Sequence, residues 1–254
     1  MIFKARFACS VFIYLAAAAM ISAQAQSTVP TIEVIIAQMA QAQAKNRTHF
    51  RPYIVTRDYK LFEGEDHNQA KSRVIAEITV VPPDSKKYTV ENRNGSELEE
   101  QIVRKMLDSE VAFAKDSGST DITGKNYDFL FVREDELSGQ RCYVLELLPR
   151  RKSKTLLRGI IWVDASTYLL HRVEGEPAKS PSWWLRDVRI VLLYGSVGEM
   201  WLQTSSEATA NVRILGRSTM VWQNVKYRVG ELTPAASLTQ TVVSAGEMTP
   251  EGQR

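Results

Sequence analysis

Cysteine is nearly missing from this chain, with Cys9 and Cys142 the two examples in 254 residues. Cys9 falls in a leader of export character, so the mature chain keeps Cys142 alone, and an internal disulfide is excluded. Cys142 opens Cys142-Tyr-Val-Leu-Glu-Leu, a strand pattern, which predicts an inert core or sheet thiol over a reactive one. Histidine is as sparse: His49, His67 and His171 stand far apart, with no HExxH or CxxC spacing, so no metal site is expected. No G-x-S-x-G elbow and no P-loop occurs, which removes the usual signatures of acyl and phosphoryl transfer. An excess of one charge is missing too. Without Lys4 and Arg6 the chain holds 30 basic against 29 acidic residues, a net charge of +1, and that balance argues against nucleic acid as the partner.

What is present begins with the leader. Lys4 and Arg6 precede the uncharged, mostly apolar run Ala8 to Ile21, and Ser22-Ala-Gln-Ala25 supplies the small residues of an A-x-A cleavage site. The run is shorter than the ~18–20 apolar residues of a spanning helix, so residues 1–25 read as a secretory signal peptide cleaved after Ala25. The lone Cys9 precedes the apolar run instead of closing it, which disfavours a lipid anchor, and the expected compartment is the periplasm.

In the mature chain Pro30 opens a helix, with Ile32, Ile35, Ile36, Met39 and Ala40 on one stripe, ending near Asn46. Strands are predicted at 53–62, 73–81 and 86–92, with Pro82-Pro83-Asp84-Ser85 as a turn. Ser96-Glu-Leu-Glu99 is a capping box that starts a second helix, whose stripe reads Leu98, Ile102, Met106 and Phe113, supported by Val103 and Leu107. After a polar loop at 116–126, seven more strands follow at 127–133, 141–148, 158–164, 168–175, 183–194, 200–211 and 213–227. Their separators, among them Ser138-Gly139, Asp164-Ala-Ser-Thr167, Gly198-Glu199 and Leu215-Gly216-Arg217, are short, so neighbours are antiparallel. Residues 26–230 thus form one α+β domain, mainly antiparallel β. About ten strands curl or close into a barrel, and the two striped helices cover its concave face. Residues 231–254 lack aromatics and read as a disordered tail.

This order resembles the LolA/LolB-like superfamily of periplasmic lipoprotein carriers, and more closely the outer-membrane lipoprotein-sorting proteins and the RseB N-terminal-like domain. The resemblance is carried by Val80-Val-Pro-Pro-Asp-Ser-Lys-Lys-Tyr88 at a hairpin, by Ile161-Trp-Val-Asp164, and by Thr167 through Arg172-Val-Glu174, and it spans roughly 31 to 229. It implies a half-open β-barrel holding acyl chains on a concave apolar face, with no cofactor and no catalysis. The superfamily's ligand contacts form no short motif, and the basic residue that helps hold the carrier's lid has no counterpart assignable from the sequence.

Apolar side chains alone can hold a lipid tail, since each buried methylene contributes about 0.8 kcal/mol. The candidate lining is Ile36 and Met39 on the first helix, Ile102, Met106 and Phe113 on the second, and Trp162, Tyr168, Trp184 and Trp201 on the sheet. The alternative is that these residues fill an ordinary core. Adjacent strand residues face opposite sides, so one of Trp183 and Trp184 is expected to point outward. Trp183, with the basic run Arg150, Arg151, Lys152 and Lys154, is the candidate contact for a membrane or a partner protein. The expected function is therefore a monomeric soluble carrier or envelope sensor for lipid or lipoprotein acyl chains. The other expectation is a non-carrier interaction module that docks an inner- or outer-membrane protein.

Overall fold

A computed structural model describes residues 29–64, 68–213 and 216–230. The predicted signal peptide, His67, Leu215 and the tail after Gly230 lie outside the described residues. The chain divides at Pro30, and the architecture below belongs to the unit that begins at Thr31.

Helix α1 spans Ile32–Thr48 with Thr31 as its N-cap, so Pro30 stands just ahead of the helix instead of inside its first turn. Ile35 and Met39 are buried and Ile32 and Ile36 half-buried, while Ala40 faces solvent. Three strands follow: β1 (Tyr53–Glu63), β2 (Ser72–Val81) and β3 (Ser85–Asn94). Helix α2 (Glu97–Ala114) starts at the predicted capping box: the Ser96 hydroxyl accepts from Glu99 N–H, and the Glu99 carboxylate accepts from Ser96 N–H at 2.7 Å. Its buried stripe is turned by one position from the predicted one. Val103 and Leu107 are buried, Ile102 and Met106 half-buried, and Leu98 and Phe113 exposed. On the same side of the helix the Glu110 carboxylate reaches down to Arg57 and Lys86 on the sheet.

Seven strands complete the chain: β4 (Tyr127–Leu137), β5 (Gln140–Pro149), β6 (Leu157–Asp164), β7 (Leu170–Pro177), β8 (Leu185–Val197), β9 (Met200–Val212) and β10 (Gly216–Val229). They form one ten-stranded sheet in the order β3-β2-β1-β10-β9-β8-β7-β6-β5-β4, with antiparallel neighbours. β3 and β4 are its two edges, so the sheet is not closed. These edge strands are consecutive in the chain, and their connection, α2 and the segment up to Tyr127, bridges the open side. That segment rests on α1, where Arg47 pairs with Asp121 at 2.5 Å. β6 and β7 approach so closely that a Cβ on Gly159 would lie 1.9 Å from the Glu174 carbonyl oxygen, and one on Gly175 would lie 2.4 Å from that of Arg158.

Three strands begin later than predicted: β10 at Gly216 instead of 213, and β7 and β8 for reasons visible in their turns. Tyr168 has φ +58° and closes the β6–β7 turn, donating its N–H to the Asp164 carbonyl at 2.9 Å, so β7 starts at Leu170. Trp183 and Trp184 precede β8 in a turn in which the Trp184 carbonyl accepts from Arg213 N–H. Alternation along a strand therefore does not orient them, although Trp183 does point out, at 75% exposure, and Trp184 is half-buried.

Candidate functional site

Alternation along each strand sends one set of side chains to the face that carries the helices. Those side chains gather into two separate apolar clusters. Ile35 and Met39 of α1 pack on Tyr143, Leu145, Leu147, Ile161, Val163 and Val173 of β5, β6 and β7. Val103 and Leu107 of α2 pack on Val55, Tyr59, Val74, Ala76, Ile78 and Trp222 of β1, β2 and β10. Between the clusters lies β9, flanked by β10, whose Trp222 and Met220 belong with the α2 cluster, and by β8, whose Leu192 and Tyr194 pack against the α1 cluster. The register across these strands explains the gap. Ser206 sits between Leu192 and Trp222, and Ala208 between Ile190 and Met220. Ala210 is the next residue on the same face. These small side chains leave a low floor between two bulkier walls, and Ile190, Ala208, Ala210 and Met220 are only half-buried.

The α1 end of this face is held by Asn46. Its side-chain amide donates to the Trp201 carbonyl and its oxygen accepts from Trp201 N–H, both at 2.8 Å, which docks the last turn of α1 onto β9. The α2 end carries charge. Arg57 sits on β1 in the alternating series Val55, Arg57, Tyr59, Leu61, and is 6% exposed. Its guanidinium donates to Glu110 at 2.9 Å, to Asn224 Oδ1 at 2.8 Å and to the Tyr59 hydroxyl at 3.2 Å, and it lies 3.8 Å from the centre of the Trp222 ring. Lys86 of β3 donates to the same Glu110 carboxylate at 3.0 Å. Burial opposes both charges of the Arg57–Glu110 pair. Their mutual attraction outweighs it, holding the Glu110 carboxyl below its usual range and the Arg57 guanidinium above. Burial also raises the Tyr59 phenol and pushes that of Tyr53 up to about 12.

The nine predicted lining residues do not converge on one cavity. Ile36, Met39 and Tyr168 belong to the α1 cluster, the last with its ring 6.0 Å from that of Tyr143. Met106 packs on the α2 cluster, Ile102 is half-buried beside it, and Phe113 is 43% exposed. Trp162 faces away from Ile161 and Val163, on the opposite side of the sheet. There its Nε1–H donates to Asp135 at 3.3 Å, and Arg172 stands over its ring. Trp201 is engaged at the α1 end, donating Nε1–H to the Leu170 carbonyl at 2.6 Å, with His171 against its ring. Trp184 lies outside both clusters.

Of the candidate contact residues, two are committed internally. Arg150 pairs with Asp128, and Arg151 donates to Asn126 Oδ1 and the Ser119 carbonyl. Lys152 and Lys154 are exposed, and Arg213 stands 5.2 Å from the Trp183 ring centre. Cys142 is fully buried, and burial, with Asp164 and Asp135 nearby, pushes its thiol up to about 11, as an inert core thiol requires. Among the described residues no three His, Cys, Asp or Glu side chains converge into a metal-binding group.

The sequence reading passed over two features. The small residues at 206, 208 and 210 are a period-2 signal that marks a floor only once β8 and β10 are known to flank it. Arg57 is the odd member of an apolar alternating series, a visible signal of a buried charge; its partner Glu110 lies 53 residues away.

A family model described as that of an uncharacterized protein matches residues 101–232, just over half of the chain. No curated protein matches it in sequence. Among solved structures, the chain is similar to a DUF1329 family protein from Desulfovibrio piger, at 12% identity, covering 81% of this chain and 95% of that one, with a TM-score of 0.44. It is similar to a putative outer membrane lipoprotein-sorting protein domain from Vibrio parahaemolyticus at 13% identity, with coverage of 77% and 92% and a TM-score of 0.44. It is also similar to a LolA superfamily protein from Nitrosomonas europaea at 12% identity, with coverage of 81% and 96% and a TM-score of 0.38. The topology itself carries the fold assignment: an open ten-strand antiparallel sheet with two helices on one face, an α+β half-barrel.

Proposed function

We propose that this chain, which belongs to the family of uncharacterized proteins whose model matches residues 101–232, is a soluble periplasmic protein that holds the acyl chains of a lipid or lipoprotein. The observation that supports this is the floor of Ser206, Ala208 and Ala210 between two apolar clusters, each under its own helix. A core meant only to be filled would put large side chains at its centre. Here the centre is low, with Ser206 buried and Ala208 and Ala210 half-buried, and the walls are bulky, the shape that takes an extended apolar chain. Met106 and Met220 on the α2 side add flexible side chains that adapt to a tail of variable shape. The reading involves no catalysis, and on it residues 1–25, whose pattern is signal-like, act as a cleaved leader that delivers the mature domain, residues 26–230, to the periplasm.

The test is to purify the exported protein natively, extract it with organic solvent, and analyse the extract by mass spectrometry. A stoichiometric lipid or acylated peptide, together with saturable uptake of a long-chain fluorescent lipid by the delipidated protein, is the expected result. An empty extract with no saturable uptake overturns the carrier reading.

A second reading, a non-carrier module docking a membrane or envelope protein, draws on Trp183. At 75% exposure with Arg213 beside its ring, it is an aromatic–cation pair presented to the outside. Loss of partner capture on Trp183→Ala, with lipid uptake absent in the parent protein, would favour this second reading.

A further inference from the structure

The charged groups under α2 do not balance. Arg57 and Lys86 both converge on one carboxylate, Glu110, at 2.9 and 3.0 Å. The remaining ligands of Arg57 are the neutral Tyr59 hydroxyl and Asn224 amide, and its flat face lies against Trp222. Two cations therefore share one anion in a place where Arg57 is nine-tenths removed from water. An unmatched positive charge in such surroundings attracts a second anion much more strongly than it would in water.

The position of the pair matters as much as its charge. Trp222 is both the ring that covers Arg57 and the wall residue beside Ser206 at the edge of the floor. A chain lying on that floor would thus bring one of its ends to the guanidinium. The carboxylate already there is carried on α2, the element that covers this half of the face. Glu110 is half-buried, so the cluster opens outward on the α2 side and is not sealed.

Resting on the acyl-chain reading, we propose that Arg57 and Lys86 form the site for the anionic end, carboxylate or phosphate, of an amphiphilic ligand. In the free protein Glu110 occupies that site as an internal surrogate for the ligand's anion. The competition has a sign that an ordinary structural ion pair lacks. Neutralising Glu110 weakens the docking of α2, yet it frees two cations for the ligand.

The experiment uses the delipidated protein and displacement of a neutral fluorescent apolar probe by oleate, oleyl phosphate or oleyl alcohol at neutral pH. Oleate and oleyl phosphate are expected to bind about tenfold or more tightly than oleyl alcohol, the scale of one charge-assisted hydrogen bond. Glu110→Gln raises the oleate to oleyl alcohol affinity ratio several-fold, about 3 or more, while lowering the melting temperature; Lys86→Gln lowers the ratio by a similar factor. Both variants leave Arg57 in place, so neither removes the buried guanidinium from the fold. Equal binding of oleate and oleyl alcohol, or a Glu110→Gln variant whose ratio falls or does not move, overturns the anion site and leaves the acyl-chain reading standing. Binding of neither overturns both. Inorganic phosphate that displaces oleate as well as oleyl phosphate does would show a free-anion site and overturn the amphiphile assignment.

Discussion

Truncating Leu107 to alanine tests whether the helix-covered face is divided into two separate clusters. Leu107 is fully buried and, with Val103, supplies the apolar anchor of α2 on β1, β2 and β10. Removing a buried leucine side chain costs about 2.7–5 kcal/mol, the transfer of its methyl groups plus the cavity left behind. The lower part of that range, about 3 kcal/mol, applies here, because α2 packs near an edge of the sheet and can settle into the gap. For a domain of this size that corresponds to a fall in melting temperature of about 6–12 °C. The location of the damage is more telling than its size. Leu107 touches nothing in the α1 cluster, so hydrogen exchange should quicken across Glu97–Ala114 while β5 and β6 keep their protection. Leu145→Ala, which strikes the α1 cluster, should give the reverse pattern. Equal loosening of β5 and β6 in the Leu107→Ala protein would mean that one continuous core lies under both helices, and the argument for a low floor would fail with it.

Other perturbations follow from single contacts. Gly159→Ala places a methyl group 1.9 Å from the Glu174 carbonyl, a clash of backbone with side chain that β6 and β7 relieve only by separating. A loss of about 3 kcal/mol or more, or failure to accumulate as folded protein, is expected in urea unfolding. The Asp164 carboxyl is raised by burial but lowered more by hydrogen bonds from Ser166 and Thr167, so its folded pKa lies below the usual carboxylate range. A depressed carboxyl contributes stability above its unfolded value of about 3.9 that is lost as pH falls through the folded pKa. Asp164→Asn should therefore unfold at lower urea than the parent at neutral pH, and the difference should narrow as the pH drops below about 4. A constant difference would refute the assignment. Trp183→Ala should leave the melting temperature nearly unchanged, within about 0.5 kcal/mol of stability, since three-quarters of that side chain is already in water.

Much of the architecture is legible in the residues themselves. Ser96 and Glu99 announce the start of α2, the turn residues separate ten strands, and their brevity dictates antiparallel neighbours. Each of these signals is local: a cap satisfies N–H groups one turn away, and a turn residue fixes its own φ. The candidate site was legible only in part. Ile36, Met39 and Met106 do lie on the helix-covered face, whereas Trp162, drawn into the candidate lining by its size, belongs to the other side of the sheet. Aromatic bulk says that a residue seeks cover, and it does not say which face supplies it.

Composition and local pattern alone determined an α+β chain dominated by an antiparallel meander, with two one-sided helices and a thiol bound for the interior. Tertiary structure decided which strands meet out of order. β1 pairs with β10, and that pairing makes one sheet of the first three strands and the last seven. It carries Tyr59 opposite Trp222, places Ser206 and Ala208 between two walls, and aligns Arg57 with a glutamate 53 residues further along the chain. Such contacts depend on surfaces that exist only once distant segments have been brought together, so no periodicity within a single element encodes them.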